Sequence, residues 1–463
     1  MLCDRMTNDV FLQAADVVRD FRAGKGGLKA LCYARTSQPG PVYALALRAL
    51  GHADLLKDTI TRLAKANDTT LEHNHVLVMA TEALLGDGIP HRRRRLEGVT
   101  RDALRIVKTH MPEFACLLKK PDTATTKSRS NASAAPYLPR ALRVNLDRRE
   151  YPEINDEADR VRLTLEAEEQ CVLRVQDQLR NELPPEAKLT RHPILKDFLL
   201  VSAPNSKIPF HNLWVVKTNQ AIMQSLASGL PLAALREAAI KLLPSLKNVC
   251  VLDVCAAPGS KTFQACNYFS GVHANDLDRR RCEIILKRGK ELISTKAVRS
   301  TNIVAGLPIN SLVITSNDAL RLKDTGCQII VCDPTCSSSG VYGNKDSTLA
   351  EAAGVTKSHA DPAELSSFQI KLLTRLLTKF PSAVLVSYST CSIHSVENED
   401  VVAAVLNDET GISEEWELWN ALPEWPMRGK KPYTYCLRAD KRQQTDGFFT
   451  AIFIRKSLLK KSS

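Results

Sequence analysis

The sequence predicts an α/β protein: an open, nucleotide-type sheet in the second half of the chain, behind a small α+β module and a helical N-terminal region. Three observations predict it. First, residues 249–254 form an apolar run of the length of a buried parallel strand. The small-residue turn Cys255-Ala256-Ala257-Pro258-Gly259-Ser260 follows, and a helix starts near Lys261, which makes one strand–loop–helix unit. Second, two later apolar runs, in 329–340 and 383–400, each deliver a cysteine at the carboxyl end, Cys336 and Cys391. Ligand crevices of open α/β sheets lie outside those ends, so the three loops should converge on one site. Third, residues 1–120 show apolar residues at three-to-four spacing, the period of amphipathic helices.

Length and composition bound the reading. The chain has 463 residues, more than one ordinary domain, and its 44% hydrophobic content permits full cores. It contains no apolar run of about 18 residues, so no membrane span is expected. The start, Met1-Leu2-Cys3-Asp4-Arg5-Met6, lacks the apolar region of a secretory signal. Thirteen cysteines are an odd, scattered count without paired C-x-x-C, against a disulfide framework or a zinc site. No metal is expected, and a reducing cytosol or nucleus fits. The net charge of +12 suits a polyanionic partner.

In chain order, residues 10–21, 41–56 and 73–85 carry the helical periodicity. The arginine run 92–95 reads equally as a phosphate grip or a solvated loop. Residues 121–139, rich in Ser, Thr, Ala and Lys without periodicity, read as a linker. A small module runs over 140–245: a strand at 140–145, a charged helix at 156–184, and short strands at 198–201 and 213–216. The large domain, 246–463, begins at the first strand. Further strands are expected at 272–276, 312–318 and 448–455, and a polar surface loop at 341–359. Asp361-Pro362-Ala363-Glu364 has the N-cap, N1 and N3 residues of a helix start. Leu365, Phe368, Leu372, Leu373 and Leu376 then form one core-facing stripe. Asp276 stands at the end of the second strand, 23 positions after Asp253 (276 − 253). An acidic residue about 20 positions on can accept hydrogen bonds from ribose hydroxyls.

The motif set Asp-x-Cys-Ala-Ala-Pro-Gly-x-Lys-Thr at 253–262, Asp-Pro-x-Cys-Ser-x-x-Gly at 333–340 and Tyr-Ser-Thr-Cys-Ser at 388–392, followed by Glu-Asn-Glu-Asp, resembles the Sun-type RNA cytosine-5 methyltransferases. Residues 421–429 and 446–456 look like the branch that methylates large-subunit ribosomal RNA, as does Gly26-Gly27-Leu28-Lys29. The likeness is strong over roughly 205–456 and looser before. It implies a class I Rossmann-like methyltransferase domain with a mixed seven-stranded sheet, an RRM-like RNA-binding subdomain at 140–245, and a helical N-terminal domain at 1–120. It further implies S-adenosylmethionine as cofactor, RNA as partner (rRNA or a pre-ribosomal particle), a monomer, and a nuclear, nucleolar location. A tRNA methyltransferase, or an rRNA-binding assembly factor without turnover, are the alternatives.

By the same resemblance, the cofactor site comprises Cys255, Ala256, Ala257, Pro258, Gly259, Ser260, Lys261, Asp276, Arg281, Asp318 and Asp333. Cytosine carbon 5 becomes nucleophilic only after a thiolate adds at carbon 6, which requires an accessible, polar cysteine. The resemblance assigns attack to Cys391 and release to Cys336, and Asp333 serves the ring nitrogen while Lys261 positions substrate. Cys3, Cys32, Cys116, Cys171, Cys282 and Cys436 read as structural thiols, and Cys255 lines the loop without reacting. Arg143 and Asn145 are candidate RNA contacts. Family members often carry Ser at Thr335, Gly at Ser338 and Asn at Ser260. They also usually carry an acidic residue in the run that here reads Lys217-Thr218-Asn219-Gln220-Ala221.

Overall fold

A computed structural model describes residues 9–23, 28, 31–32, 36, 38–66, 73–85, 98–119, 138–146, 157–203, 208–246, 248–294, 296–301, 310–341, 361–407 and 411–461. Cys3, Gly26, Gly27, Lys29, the arginine run 92–95, most of the 121–139 segment and nearly all of the 341–359 loop lie outside them. The chain divides into two compact units, one within Met1–Ala135, the other within Pro136–Tyr342 and Asp361–Ser463.

The first unit is helical. Helices Val10–Arg22, Pro39–Gly51, Ala53–Ala66, His73–Leu85, Gly98–Thr109 and Met111–Lys119 bury one core that includes Phe11, Val18, Phe21, Leu50, Val76, Val107 and Phe114. Asp9 caps the first helix, accepting from the Phe11 and Leu12 amides, and also accepts the Thr100 hydroxyl at 2.7 Å. The periodic run at 41–56 is two helices, parted at Gly51-His52.

The second unit opens with a four-stranded antiparallel sheet of order β2-β3-β1-β4: β1 Arg140–Val144, β2 Lys188–Arg191, β3 Phe198–Ser202 and β4 Ala221–Met223. The helix Glu157–Glu182 covers it with Cys171, Val172, Val175 and Leu179. The strand expected at 213–216 is instead a helical turn, Trp214–Lys217, and the strand comes later, at β4. Its β-branched Val215-Val216 pair suggested a strand, but the Glu182 carboxylate accepts the Trp214 and Val215 amides as a helix-start acceptor would.

Arg143 and Asn145 are not on an RNA-facing surface. Both are fully buried, because β1 is an inner strand and its end abuts the large sheet's helices. Arg143 donates to Gln224 Oε1 at 2.8 Å and to Asn267 Oδ1. Asn145 donates to the carbonyls of Asn219 and Leu292 at 3.0 and 2.9 Å and accepts from Asn267 at 2.9 Å. These bonds pin the small sheet to the large one, and burial pushes the Arg143 guanidinium below its ordinary value. Arg143→Ala should cost about 2–3 kcal/mol of stability, since it strands two buried acceptors of a charged donor. Urea unfolding checks it: an unmoved midpoint together with weakened RNA binding would restore the RNA-contact reading.

The large sheet runs β11-β13-β10-β9-β5-β6-β8-β7, with β12 beside β13. Its strands are β5 Cys250–Asp253, β6 Gly271–Asp276, β7 Ala297–Ser300, β8 Ser311–Ser316, β9 Ile329–Cys332, β10 Leu385–Thr390, β11 Trp416–Leu418, β12 Leu437–Ala439 and β13 Phe448–Arg455. The seven-stranded mixed sheet is the β8-β6-β5-β9-β10-β13-β11 portion, and β13 is antiparallel to β10. Edge strand β7 and short β12 add to it. Successive residues face opposite layers: Val251, Ile329 and Leu385 one way, Leu252, Ile330 and Val386 the other. The first layer holds helices Leu226–Leu242 and Ser260–Tyr268, the second Pro362–Lys379 and Glu399–Leu406. Helix Leu226–Leu242 is thus a layer of the large sheet, although it precedes β5 in the chain. Strand order reverses at β5, with β6 on one side and β9 on the other, so the crevice lies at their carboxyl ends.

Candidate active site

The loop after β5 is held open by its neighbours. Ala256 N donates to Asn275 O at 2.8 Å, and Ala257 N to Asp276 Oδ2 at 3.1 Å. Gly259 has φ +102°, a conformation that disfavours any side chain, and an added Cβ would strike the Phe263 ring at 2.8 Å. The helix Ser260–Tyr268 starts there, and its first free amides face the turn. Asp276 ends β6 almost fully buried, its other oxygen accepting the Asp278 amide at 3.1 Å. Arg281 lies 3.6 Å from that carboxylate and donates to Ala257 O at 2.6 Å. Asp318 caps a short 3-10 turn, accepting from Leu320 N at 2.9 Å, and stays half exposed. Buried Asn275 ties the three strand ends together. It donates to Val254 O and Asn317 O and accepts from Thr315 and the Asn317 amide.

Beside this lies a second cluster. Asp333, just past β9, accepts from Lys261 Nζ at 2.6 Å and from Ser389 Oγ at 2.7 Å. Lys261 also donates to Ser228 Oγ at 3.2 Å and sits over the Phe448 ring. Cys336 and Cys391 bring their sulphurs to 3.2 Å, as free thiols. The proton they share makes them unlike. The bond from Cys336 lowers Cys391, aided by Ser338 and the Lys261 charge, whereas the same bond and burial raise Cys336. The Ser338 hydroxyl and the Lys261 charge favour the thiolate of Cys391. Burial pushes Cys255 up to about 12, so it lines the loop as an inert thiol, and lifts Asp253 to about 7. Among the cysteines read as structural, Cys32, Cys171, Cys282 and Cys436 are buried and Cys116 is exposed.

The two cysteine loops share an anchor that the sequence reading passed over. Glu397 is fully buried; Oε1 accepts from Ser337 N at 2.9 Å and Gln369 Nε2 at 3.2 Å. Oε2 accepts from Ser337 Oγ and Ser392 Oγ, both at 2.6 Å, and the Tyr388 hydroxyl donates to the Glu397 carbonyl. Asn398 accepts from Thr390 and donates to Ser392 O. Glu399 makes a buried two-bond pair with Arg438. The Glu-Asn-Glu run after Cys391 was the available signal. Gly340 and Gly447 close the site by backbone contact: Gly447 N donates to Gly340 O at 2.7 Å, and a Cβ on Gly340 would meet that backbone at 2.3 Å. Ser338 holds φ +55°, which costs a non-glycine residue about 1 kcal/mol. Among the described residues, no group of three or more His, Cys, Asp or Glu could hold a metal ion, and no helix is long and apolar enough to cross a membrane.

Residues 239–454 match the family described as 16S rRNA methyltransferase RsmB/F. The chain is 29% identical to the 26S rRNA (cytosine-C(5))-methyltransferase nsun-5 of Caenorhabditis elegans, over 82% of this chain and 81% of the relative. It is 27% identical to a 28S rRNA (cytosine-C(5))-methyltransferase of Mus musculus, over 97% and 92% respectively. The crystal structure of PH0851 is similar with a TM-score of 0.54 at 16% identity, over 96% of this chain and 98% of that one, a likeness of fold alone.

Proposed function

Because this chain belongs to the Sun-type RNA cytosine-5 methyltransferase family, we propose that it methylates carbon 5 of a cytosine in large-subunit ribosomal RNA through a cysteine adduct. The observation that carries the mechanism is the pair of unlike sulphurs 3.2 Å apart at the ends of two strands, next to the Lys261–Asp333 pair.

The order of events follows from the residues. Cys391, the sulphur favoured as thiolate, adds to carbon 6 of a cytosine extruded into the crevice. Lys261 supplies the proton that Asp333, hydrogen-bonded to it, relays to the ring nitrogen, and the nitrogen returns it by the same path on release. S-adenosylmethionine, when bound, supplies the electrophilic methyl group. Cys336, after losing its own proton to water, takes the carbon 5 proton as a thiolate, and the electrons of that bond form the ring double bond and expel Cys391 as thiolate. The largest cause raising Cys336 is its bond with Cys391. Once the Cys391 sulphur is bonded to carbon 6 that cause is gone, so Cys336 gives up its own proton more readily and can stand as the thiolate that release needs.

The residues present fit the cofactor. The loop 255–260 exposes backbone at a helix start suited to a carboxylate, and Asp276, Asp318 and Arg281 ring it with groups for hydroxyls and a purine edge. Asp276→Ala should weaken S-adenosylhomocysteine binding at least about tenfold, the worth of a charge-assisted hydrogen bond, while RNA binding stays within about twofold. Calorimetry decides it, and unchanged affinity rejects the ribose role. The net charge of +12 supports a polyanionic partner. On this reading the helical unit and the small sheet serve RNA or a pre-ribosomal particle, and the protein works as a monomer in the nucleolus. Bisulfite sequencing of rRNA from cells with and without the protein tests the substrate; an identical pattern of protected cytosines overturns it.

A further inference from the structure

Three consecutive serines follow Cys336, and two of them are committed elsewhere. Ser337 Oγ donates to Glu397, with Ser339 and Ser392 within 3.2 Å. Ser339 Oγ accepts the Ile393 amide and contacts Ser392 Oγ at 3.1 Å. Ser338 turns the other way, its Oγ 3.4 Å from Cys391 Sγ. It reaches that place from a left-handed backbone, φ +55°, which a glycine would occupy without strain. A residue kept in a costly conformation with its one polar atom on the reacting sulphur is a candidate for function. The contact works in both charge states. As a thiol, Cys391 donates to the serine oxygen; as a thiolate, it accepts the serine proton, since a hydroxyl can rotate to do either.

We propose that Ser338 is a positioning residue for the methyl-transfer reaction: its hydroxyl orients the Cys391 sulphur and donates to it when it is ionised, so the nucleophile is poised before RNA arrives. The proposal rests on reading Cys391 as the nucleophile. Its neighbours agree with the charge it would stabilise: Lys261 offers a positive charge toward the same sulphur, and Asp333, which opposes it, is itself held by Lys261 and Ser389. The backbone of the loop is fixed independently, by Gly340 N donating to Cys391 O at 2.9 Å and by Ser337 N donating to Glu397. Removing the hydroxyl should therefore change the sulphur and leave the loop in place.

The experiment measures iodoacetamide alkylation of Cys391 in the full chain against pH, read by mass spectrometry of the Cys391 peptide. The chains compared are wild type, Ser338→Gly and Ser338→Ala. Glycine removes the hydroxyl and the strain; alanine removes the hydroxyl and keeps the strain. Both variants should move the midpoint upward by about one pH unit, so alkylation at a fixed pH below it slows about tenfold. Unmoved midpoints in both variants overturn the proposal, and so does a shift confined to alanine, which would assign the effect to the backbone. The pH dependence of methyl transfer, run in parallel, separates this proposal from its premise. If its acid limb follows the alkylation midpoint, both stand. If the midpoint moves and the acid limb does not, the hydroxyl contact stands and Cys391 is not the nucleophile.

Discussion

Cys391→Ala should abolish both methyl transfer and any covalent bond to RNA, with a rate loss of at least about a thousandfold, as for removal of other enzymic nucleophiles. Cys336→Ala should do the opposite to the adduct. Attack and methyl transfer proceed through Cys391, the carbon 5 proton stays in place, and protein joined to RNA accumulates through denaturing electrophoresis. The double variant should behave as Cys391→Ala, because release cannot matter before attack. Labelled RNA on a denaturing gel reads all three. An adduct that accumulates in Cys391→Ala and not in Cys336→Ala would reverse the roles. The surroundings oppose reversal: Ser338 Oγ lies 3.4 Å from the Cys391 sulphur, and the Lys261 charge bears on the same atom.

What the sequence disclosed is what short-range pattern can carry. The apolar runs at β5, β9 and β10 are local, the cysteines sit at their ends, and Asp276 closes β6 as its spacing from Asp253 suggested. The capping residues Asp361 and Pro362 opened a helix as read, with Asp361 accepting from Ala363 N at 3.0 Å. The misreadings depend on partners distant in the chain. Arg143 was a candidate RNA contact through the resemblance alone. Its partners in the interior are Gln224 and Asn267, 81 and 124 positions away. The run Val215-Val216 favours a strand by propensity, but local backbone bonds close a helical turn there and Glu182, over 30 positions earlier, accepts its first amides. Helix Leu226–Leu242 carries Pro231 inside and buried residues around most of its circumference, so no periodicity announced it. Segment 217–221, which departs from the family pattern, forms part of the joint between the sheets: Asn219 takes φ +59° and donates to Glu291 O at 3.0 Å.

Glu397→Ala should be the most damaging change that removes no reacting group. The Ser337 amide, the Gln369 amide and the Ser337 and Ser392 hydroxyls converge on its two oxygens, and all of them lie in the interior. Alanine leaves these donors without acceptors where water does not reach, which should cost about 3 kcal/mol or more. The loss of activity should be larger than that suggests. Ser337 follows Cys336 and Ser392 follows Cys391, so one carboxylate sets the register of both sulphur-bearing loops. A displacement of about 1 Å at reacting groups lowers rates by about a hundredfold. Glu397→Gln should recover most of the stability, because its amide oxygen can keep the Ser337 and Gln369 amides while the serine hydroxyls rotate to accept from its NH2. S-adenosylhomocysteine affinity should stay near wild type in both variants, since Asp276 and the loop after β5 have no hydrogen bond to Glu397. Urea unfolding, single-turnover methylation and calorimetry on the three proteins make the comparison. If Glu397→Ala unfolds at the wild-type midpoint and methylates at the wild-type rate, the two loops hold their register without it, and the shared anchor is not what sets the 3.2 Å spacing of the sulphurs.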